Sequence, residues 1–205
     1  MKGQVIFRER IFPVLFMLLL TVVFIGVVSA IYLSTRDLVM LNESLFLKKA
    51  LLYAADIPIP ETSAETEALY TARIREVTGQ DGAEGYYEIL TGNGSIAGYA
   101  LITSGPGLWG EIQAVLAFEK DLETLKGLEF TRQNETPGLG ARISEAWFKE
   151  QFRGKKGPFV LVPEGEAAAV NEIDAITGAT RTSAAVRGIL NSAVEVAESR
   201  IRGGN

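Results

Sequence analysis

From Ile11 to Thr35 the chain carries no charged side chain, and the run that begins Phe12-Pro-Val-Leu-Phe-Met-Leu-Leu-Leu is apolar on every side rather than along one stripe. About 20 such residues, coiled as a helix, span the ~30 Å hydrocarbon layer of a bilayer. A helix of this kind has no polar face to turn to water. Pro13 falls in the first turn, where a missing N–H costs nothing. Val28-Ser29-Ala30 could serve as a cleavage site for a leader, but the apolar stretch exceeds the ~7–15 residues of a leader's core. Residues 11–35 are therefore expected to remain as a transmembrane helix.

Charge placement sets the expected orientation. Residues 1–36 hold Lys2, Arg8, Arg10 and Arg36 against Glu9, a net of +3, which leaves −8 of the overall −5 on the remainder. Three of the four basic residues precede the apolar run, so residues 1–10 are expected in the cytoplasm and everything after Arg36 outside. An acidic domain repels phosphate backbones, which argues against a nucleic-acid partner.

The 205 residues contain neither His nor Cys. That excludes Cys-ligated iron–sulfur clusters, His- or Cys-ligated haem, thiolate or imidazole zinc and any triad with a His base. No metal site is expected, and redox chemistry in this chain requires an organic cofactor.

Beyond the span, Leu38, Leu41, Leu45, Leu52 and Ala55 recur at helical steps, and Ile57-Pro-Ile-Pro60 ends that pattern. A second helix is expected from Thr62, whose hydroxyl and Glu65 form a capping-box pattern, through to Val77. The period then changes to two in Tyr86–Leu90, Ser95–Thr103, Gln113–Phe118 and Leu125–Phe130, with short Gly-rich or acidic gaps between them. Such gaps suit hairpins, hence an antiparallel sheet. Helical patterns return over Ile143–Phe152 and over Thr182–Arg202, where Val186, Leu190, Ala193, Ala197 and Ile201 form an apolar stripe. The class is α+β, and the tail after Arg202 is expected to fray.

Three clusters could carry chemistry. In Asp174-Ala-Ile-Thr-Gly-Ala-Thr180-Arg-Thr-Ser183, hydroxyl residues and a Gly precede the amphipathic helix. A helix N-terminus offers free N–H groups and partial positive charge to a phosphate, and small residues at Gly178 and Ala179 permit close approach. By spacing alone, Thr180 or Thr182 is better explained as an N-cap, worth ~1 kcal/mol. Glu135-Thr-Pro-Gly-Leu-Gly140 is a rigid turn that either aims N–H groups and the Thr136 hydroxyl at one spot or merely links a strand to a helix. In Ser104-Gly-Pro-Gly-Leu-Trp-Gly110, Leu108 and Trp109 offer an apolar wall for a flat ring, or plain core.

Asp174-x-x-Thr177-Gly-Ala-Thr180 resembles the flavinylation motif of the FMN-binding domain family, and Glu135–Gly140 resembles that family's second signature. Gly107-Leu-Trp-Gly110 is similar to a loop in the C subunit of the sodium-pumping NADH:quinone oxidoreductase (the Nqr complex), while the overall length is more like the G subunit of the Rnf complex. The resemblance implies FMN esterified through its phosphate to Thr180, attached by a separate flavin transferase that uses FAD and reads Asp174, Thr177, Gly178 and Ala179. It implies that Thr136, Gly138, Leu139 and Gly140 lie beside the flavin, that Leu108 and Trp109 flank the ring, and that Thr182 belongs to the same site. It further implies a layout of residues 1–10 in the cytoplasm, 11–35 as the span, 36–80 as juxtamembrane helices and 81–202 as the FMN-binding domain. The function implied is electron transfer between partner subunits of an ion-translocating complex in the cytoplasmic membrane. The competing reading is a membrane-tethered, non-redox binding domain outside the cell membrane, which would have no reason to keep the Asp-x-x-Thr-Gly-Ala-Thr string together.

Overall fold

A computed structural model describes residues 10–79 and 85–202. Lys2 and Arg8, the boundary expected at 80/81 and the tail after Arg202 lie outside the described residues. The chain divides into two units, Met1–Ser44 and Leu45–Asn205.

Helix α1 (Phe12–Ala54) runs unbroken through the uncharged segment, and its residues up to Ser44 belong to the first unit. Its large apolar residues from Phe12 to Leu41 all face outward, with no protein around them. It is the one helix among the described residues that is long and apolar enough to cross a membrane.

The second unit is built on a five-stranded antiparallel meander of β1 (Ile74–Val77), β2 (Tyr86–Leu90), β3 (Ile96–Pro106), β4 (Glu111–Glu119) and β5 (Leu125–Arg132), hydrogen-bonded in that order. Strand β4 lies inside the sheet and is buried on both faces, and its alternation sorts two cores. Ile112, Ala114, Leu116 and Phe118 face one side, with Ile143, Phe148, Phe152 and helix α4 (Thr180–Arg202). Val115 and Ala117 face the other, with Ala100, Ile89 and the last turns of α1 through Ala50, Leu51, Leu52 and Ala54. The end of α1 is clasped there as well. Tyr53 Oη donates to Glu150, and Arg153 Nη2 donates to the Tyr53 carbonyl at 3.1 Å. Burial, reinforced by Glu150, pushes the Tyr53 phenol up to about 12.

Two expectations need correction. Helix α2 (Ser63–Arg73) starts with the anticipated cap, Thr62 Oγ1 accepting from Glu65 N at 3.2 Å, but it stops at Arg73. Ile74-Arg-Glu-Val77 forms β1 instead, paired residue for residue with β2 from Ile74↔Ile89 to Val77↔Tyr86. Its β-branched ends flank two charged residues, and Arg75 pairs with Glu88 across the strands, as suits an edge strand. Residues 45–77 thus supply one core layer and one strand of the second unit. The helix expected over Ile143–Phe152 is also shorter. A 3₁₀ turn (Gly140–Ser144) and helix α3 (Ala146–Glu150) are separated by Glu145 in extended backbone. The site is framed by one further feature, a parallel pair of β6 (Val160–Val162) and β7 (Glu172–Asp174) that matches Val162 with Asp174.

Candidate functional site

The segment between β7 and α4 is a tight turn. Ala175 N donates to the Val162 carbonyl at 2.8 Å, and Ala179 N to the Ile176 carbonyl at 2.9 Å. Gly178 has φ +80°, a conformation L side chains rarely adopt, and a Cβ there would stand 3.2 Å from Leu139 Cδ2. The helix begins at Thr180, two residues before its apolar stripe suggests. Neither Thr180 nor Thr182 is an N-cap: Ala179 precedes the helix, and Ser183 fastens the turn, accepting from Ile176 N at 3.0 Å and donating to the Ala179 carbonyl at 3.1 Å. Thr180 is exposed as the first helical residue. The N–H groups of Thr180, Arg181 and Thr182 find no acceptor among the described residues, so they present partial positive charge outward.

The two other clusters are brought to this helix start by one carboxylate. Glu135 is 5 % exposed. Its Oε1 accepts from Leu108 N at 2.8 Å and Trp109 N at 3.2 Å, and its Oε2 accepts from Thr182 Oγ1 at 2.6 Å. The β3–β4 turn, the 133–140 loop and α4 are thus pinned to one buried group. Gly140 makes this possible, since a Cβ at that position would lie 2.6 Å from Thr182 Oγ1 and 2.9 Å from Glu135 Oε2. Thr182 is 1 % exposed, and its hydroxyl is committed inward.

Thr180 stands between two open depressions. One, of about 310 Å³, is lined by Leu108, Thr136, Leu139 and Gly140 together with Gly178 to Thr182. The other, of about 410 Å³, is lined by Leu161 to Glu164 and Ala175 to Gly178. Both fall at the lower end of the range for small-molecule sites. A larger depression of about 520 Å³ lies over Ile102, Gln113, Ser192 and Val196. At ~1.5 Å per residue that is ~18 Å further along α4.

Of the residues singled out in the sequence, Thr180, Gly178, Ala179, Leu108, Thr136, Leu139, Gly140 and the backbone of Thr182 therefore meet at one place. Gly138 sits in the same loop with φ +74°. Trp109 is 69 % exposed and does not line the depression. Asp174 is engaged with the 163–167 loop: its Oδ1 accepts from Glu166 N at 3.1 Å and Ala167 N at 2.9 Å. Thr177 N donates to Glu164 Oε2 at 2.7 Å, and Glu164 Oε1 meets Arg142 Nη2 at 3.3 Å. The Thr177 N–H and hydroxyl, then Arg142, hold the Glu164 carboxyl below its ordinary value. Arg142 and Glu164 escape the sequence analysis, which quotes Glu135 and Ser183 without giving either a role. Glu135 and Ser183 have a local signal, being the ends of strings already picked out, whereas nothing near Glu164 in sequence marks it.

Residues 107–195 match the FMN-binding domain family. The chain is 36 % identical over 143 residues to the G subunit of the Na⁺-translocating ferredoxin:NAD⁺ oxidoreductase complex of Acetobacterium woodii, covering 65 % of this chain and 68 % of that protein. It is 37 % identical over 107 residues to the C subunit of the Na⁺-translocating NADH-quinone reductase of Vibrio vulnificus, covering 48 % of this chain and 42 % of that protein. The match thus spans less than half of this second relative. The crystal structure of the C subunit of the Na⁺-translocating NADH-quinone reductase from Parabacteroides distasonis superposes with a TM-score of 0.64 at 28 % identity, covering 78 % of this chain and 94 % of that one.

Proposed function

The chain belongs to the FMN-binding domain family, and from that membership we propose that it is an electron-carrying subunit with FMN esterified to Thr180. The observation that carries this reading is the placement of Thr180, an exposed hydroxyl at the first position of α4 beside three uncommitted N–H groups and between two depressions. The residues present fit such a group. The helix start favours the negative charge of a phosphodiester, and the half-exposed Leu108 and Leu139 supply apolar surface for a flat ring. A covalent link retains on an exposed domain a cofactor that dilution would otherwise remove. When bound, FMN supplies the one- and two-electron chemistry, and the protein supplies position and electrostatics. Glu135 keeps the Leu108 turn and the Thr136–Gly140 loop in fixed relation to the helix start.

Loading requires a flavin transferase with FAD as donor. Thr180 Oγ forms its bond to the flavin-side phosphorus as the P–O bridge to AMP breaks; AMP leaves, the hydroxyl proton passes to the transferase or solvent, and no electrons change hands. The partners are other subunits of an ion-translocating oxidoreductase of the Rnf or Nqr kind, engaged in part through α1. Wild-type chain co-expressed with a flavin transferase is expected to give a fluorescent band after denaturing electrophoresis, with the flavin on the peptide that contains Thr180. A colourless band, or flavin on another peptide, would overturn the assignment.

The domain after Arg36 lies outside the cytoplasmic membrane in this reading, because Lys2, Arg8 and Arg10 precede the span and Arg36 alone follows closely. Protease added to cells stripped of any outer membrane is expected to digest it. Protection until the cytoplasmic membrane is lysed would reverse the orientation.

A further inference from the structure

We propose that Glu164 is a positioning residue of the acceptor site, holding through Thr177 the turn that presents Thr180; this rests on the reading of Thr180 as the flavin acceptor. Asp174 and Thr177 both belong to the acceptor string, yet they do not touch each other. The 163–167 loop connects them. Asp174 Oδ1 closes that loop on the Glu166 and Ala167 N–H groups, and the loop returns Glu164 to the Thr177 N–H at 2.7 Å. Glu164 is anchored in turn by Arg142, which meets Glu145 at 3.4 Å and lies 5.3 Å over the Trp147 ring. Trp147 packs edge-on against the buried Phe148, so the chain of contacts from acceptor turn to core is continuous.

Apart from the bonds of the Thr177 N–H and hydroxyl to Glu164, Thr177 and Gly178 have no hydrogen bond to a separate segment among the described residues. Without Glu164 the Ile176–Thr177 peptide keeps only the bond within the turn from Ala179 N to the Ile176 carbonyl, its tie to the 163–167 loop is lost, and the placement of the residue three positions on loosens with it. Formation of the Thr180 Oγ–P bond, with loss of AMP from FAD, depends on in-line placement of that oxygen. A displacement of ~1 Å costs such a step about 100-fold. The carboxylate acts as a hydrogen-bond acceptor rather than through its charge, which Arg142 offsets, so an amide of the same shape replaces it.

The test uses the full-length chain in detergent, produced without a flavin transferase and then given the transferase and FAD, with the initial rate of covalent flavin incorporation as the readout. Glu164→Ala is expected to load about 10- to 100-fold more slowly, with its melting temperature close to that of wild type and with faster amide exchange at Thr177. Glu164→Gln is expected to stay within about threefold of wild type, because its carbonyl oxygen still accepts from Thr177 N. Loading of Glu164→Ala at the wild-type rate, or of Glu164→Gln as slowly as Glu164→Ala, overturns the proposal and leaves Thr180 as the acceptor. Wild type that takes no flavin overturns the acceptor reading and this proposal with it.

Discussion

Thr180→Ala protein, co-expressed with a flavin transferase, is expected to run as a non-fluorescent band on a denaturing gel beside a fluorescent wild type. In the proposed ester the Thr180 hydroxyl oxygen is the only protein atom, so its removal is expected to abolish attachment outright rather than weaken it. The fold is spared. Thr180 is exposed, its side chain has no hydrogen-bond partner among the described residues, and it does not cap α4. Surface changes of this kind fall within about ±0.5 kcal/mol, which for a domain of this size is ~1–2 °C in melting temperature. Thr180→Ser keeps the oxygen and is expected to load. Thr182→Ala gives the opposite pattern: its hydroxyl is buried on Glu135 at 2.6 Å, so its loss costs about 1–3 kcal/mol while the flavin stays attached. Two threonines two residues apart thus separate attachment from stability. Fluorescence from Thr180→Ala would remove the central claim, and loss of fluorescence from Thr182→Ala with Thr180 intact would move the acceptor.

The sheet is legible because its middle strands state their period without interference. Tyr86–Leu90 forms β2 with the boundaries its alternation suggests, the run at Gln113–Phe118 is the centre of β4, and Leu125–Phe130 makes up β5 from its first residue to all but its last two. Strand β1 is hidden because Ile74 and Val77 are three apart, which continues a helical stripe as readily as it starts a strand, and the pairing that decides the matter comes from β2. Thr182 shows a related limit. A threonine near a helix start reads as a cap, and only the arrival of Glu135 from 47 residues away turns its hydroxyl inward. The acceptor string is legible as a unit because its members are neighbours in sequence, but the roles within it are not. Asp174 bonds to the N–H groups of a loop whose useful residue, Glu164, is ten positions upstream. Local pattern reveals which backbone is special; which side chain holds it is settled by tertiary contacts with no period to read.

Glu135→Ala is expected to produce the largest loss of stability of any single change at this site. Removing the carboxylate strands three donors at once, the N–H groups of Leu108 and Trp109 and the hydroxyl of Thr182, in a place 5 % exposed where water cannot replace it fully. Hydrogen bonds to a charged acceptor contribute about 1.5–3 kcal/mol each, and the three share one acceptor and do not simply add, so a combined cost of ~3–5 kcal/mol follows. For a domain of this length that is ~6–20 °C. Glu135→Gln separates acceptor geometry from charge. Its carbonyl oxygen can take both turn N–H groups, and its amide can donate to Thr182 Oγ1, since a hydroxyl accepts as well as donates. The amide variant should therefore lose no more than ~1–2 kcal/mol, the difference between charged and neutral acceptors. Thr182→Val, which removes one of the three bonds and keeps the volume, belongs between them. Thermal melts in the same detergent should place Glu135→Ala lowest, Thr182→Val in the middle and Glu135→Gln highest. A Glu135→Ala melt within about 1 °C of wild type would mean that the carboxylate does not tie the β3–β4 turn to α4, and the Leu108 wall would then have to be held by something else.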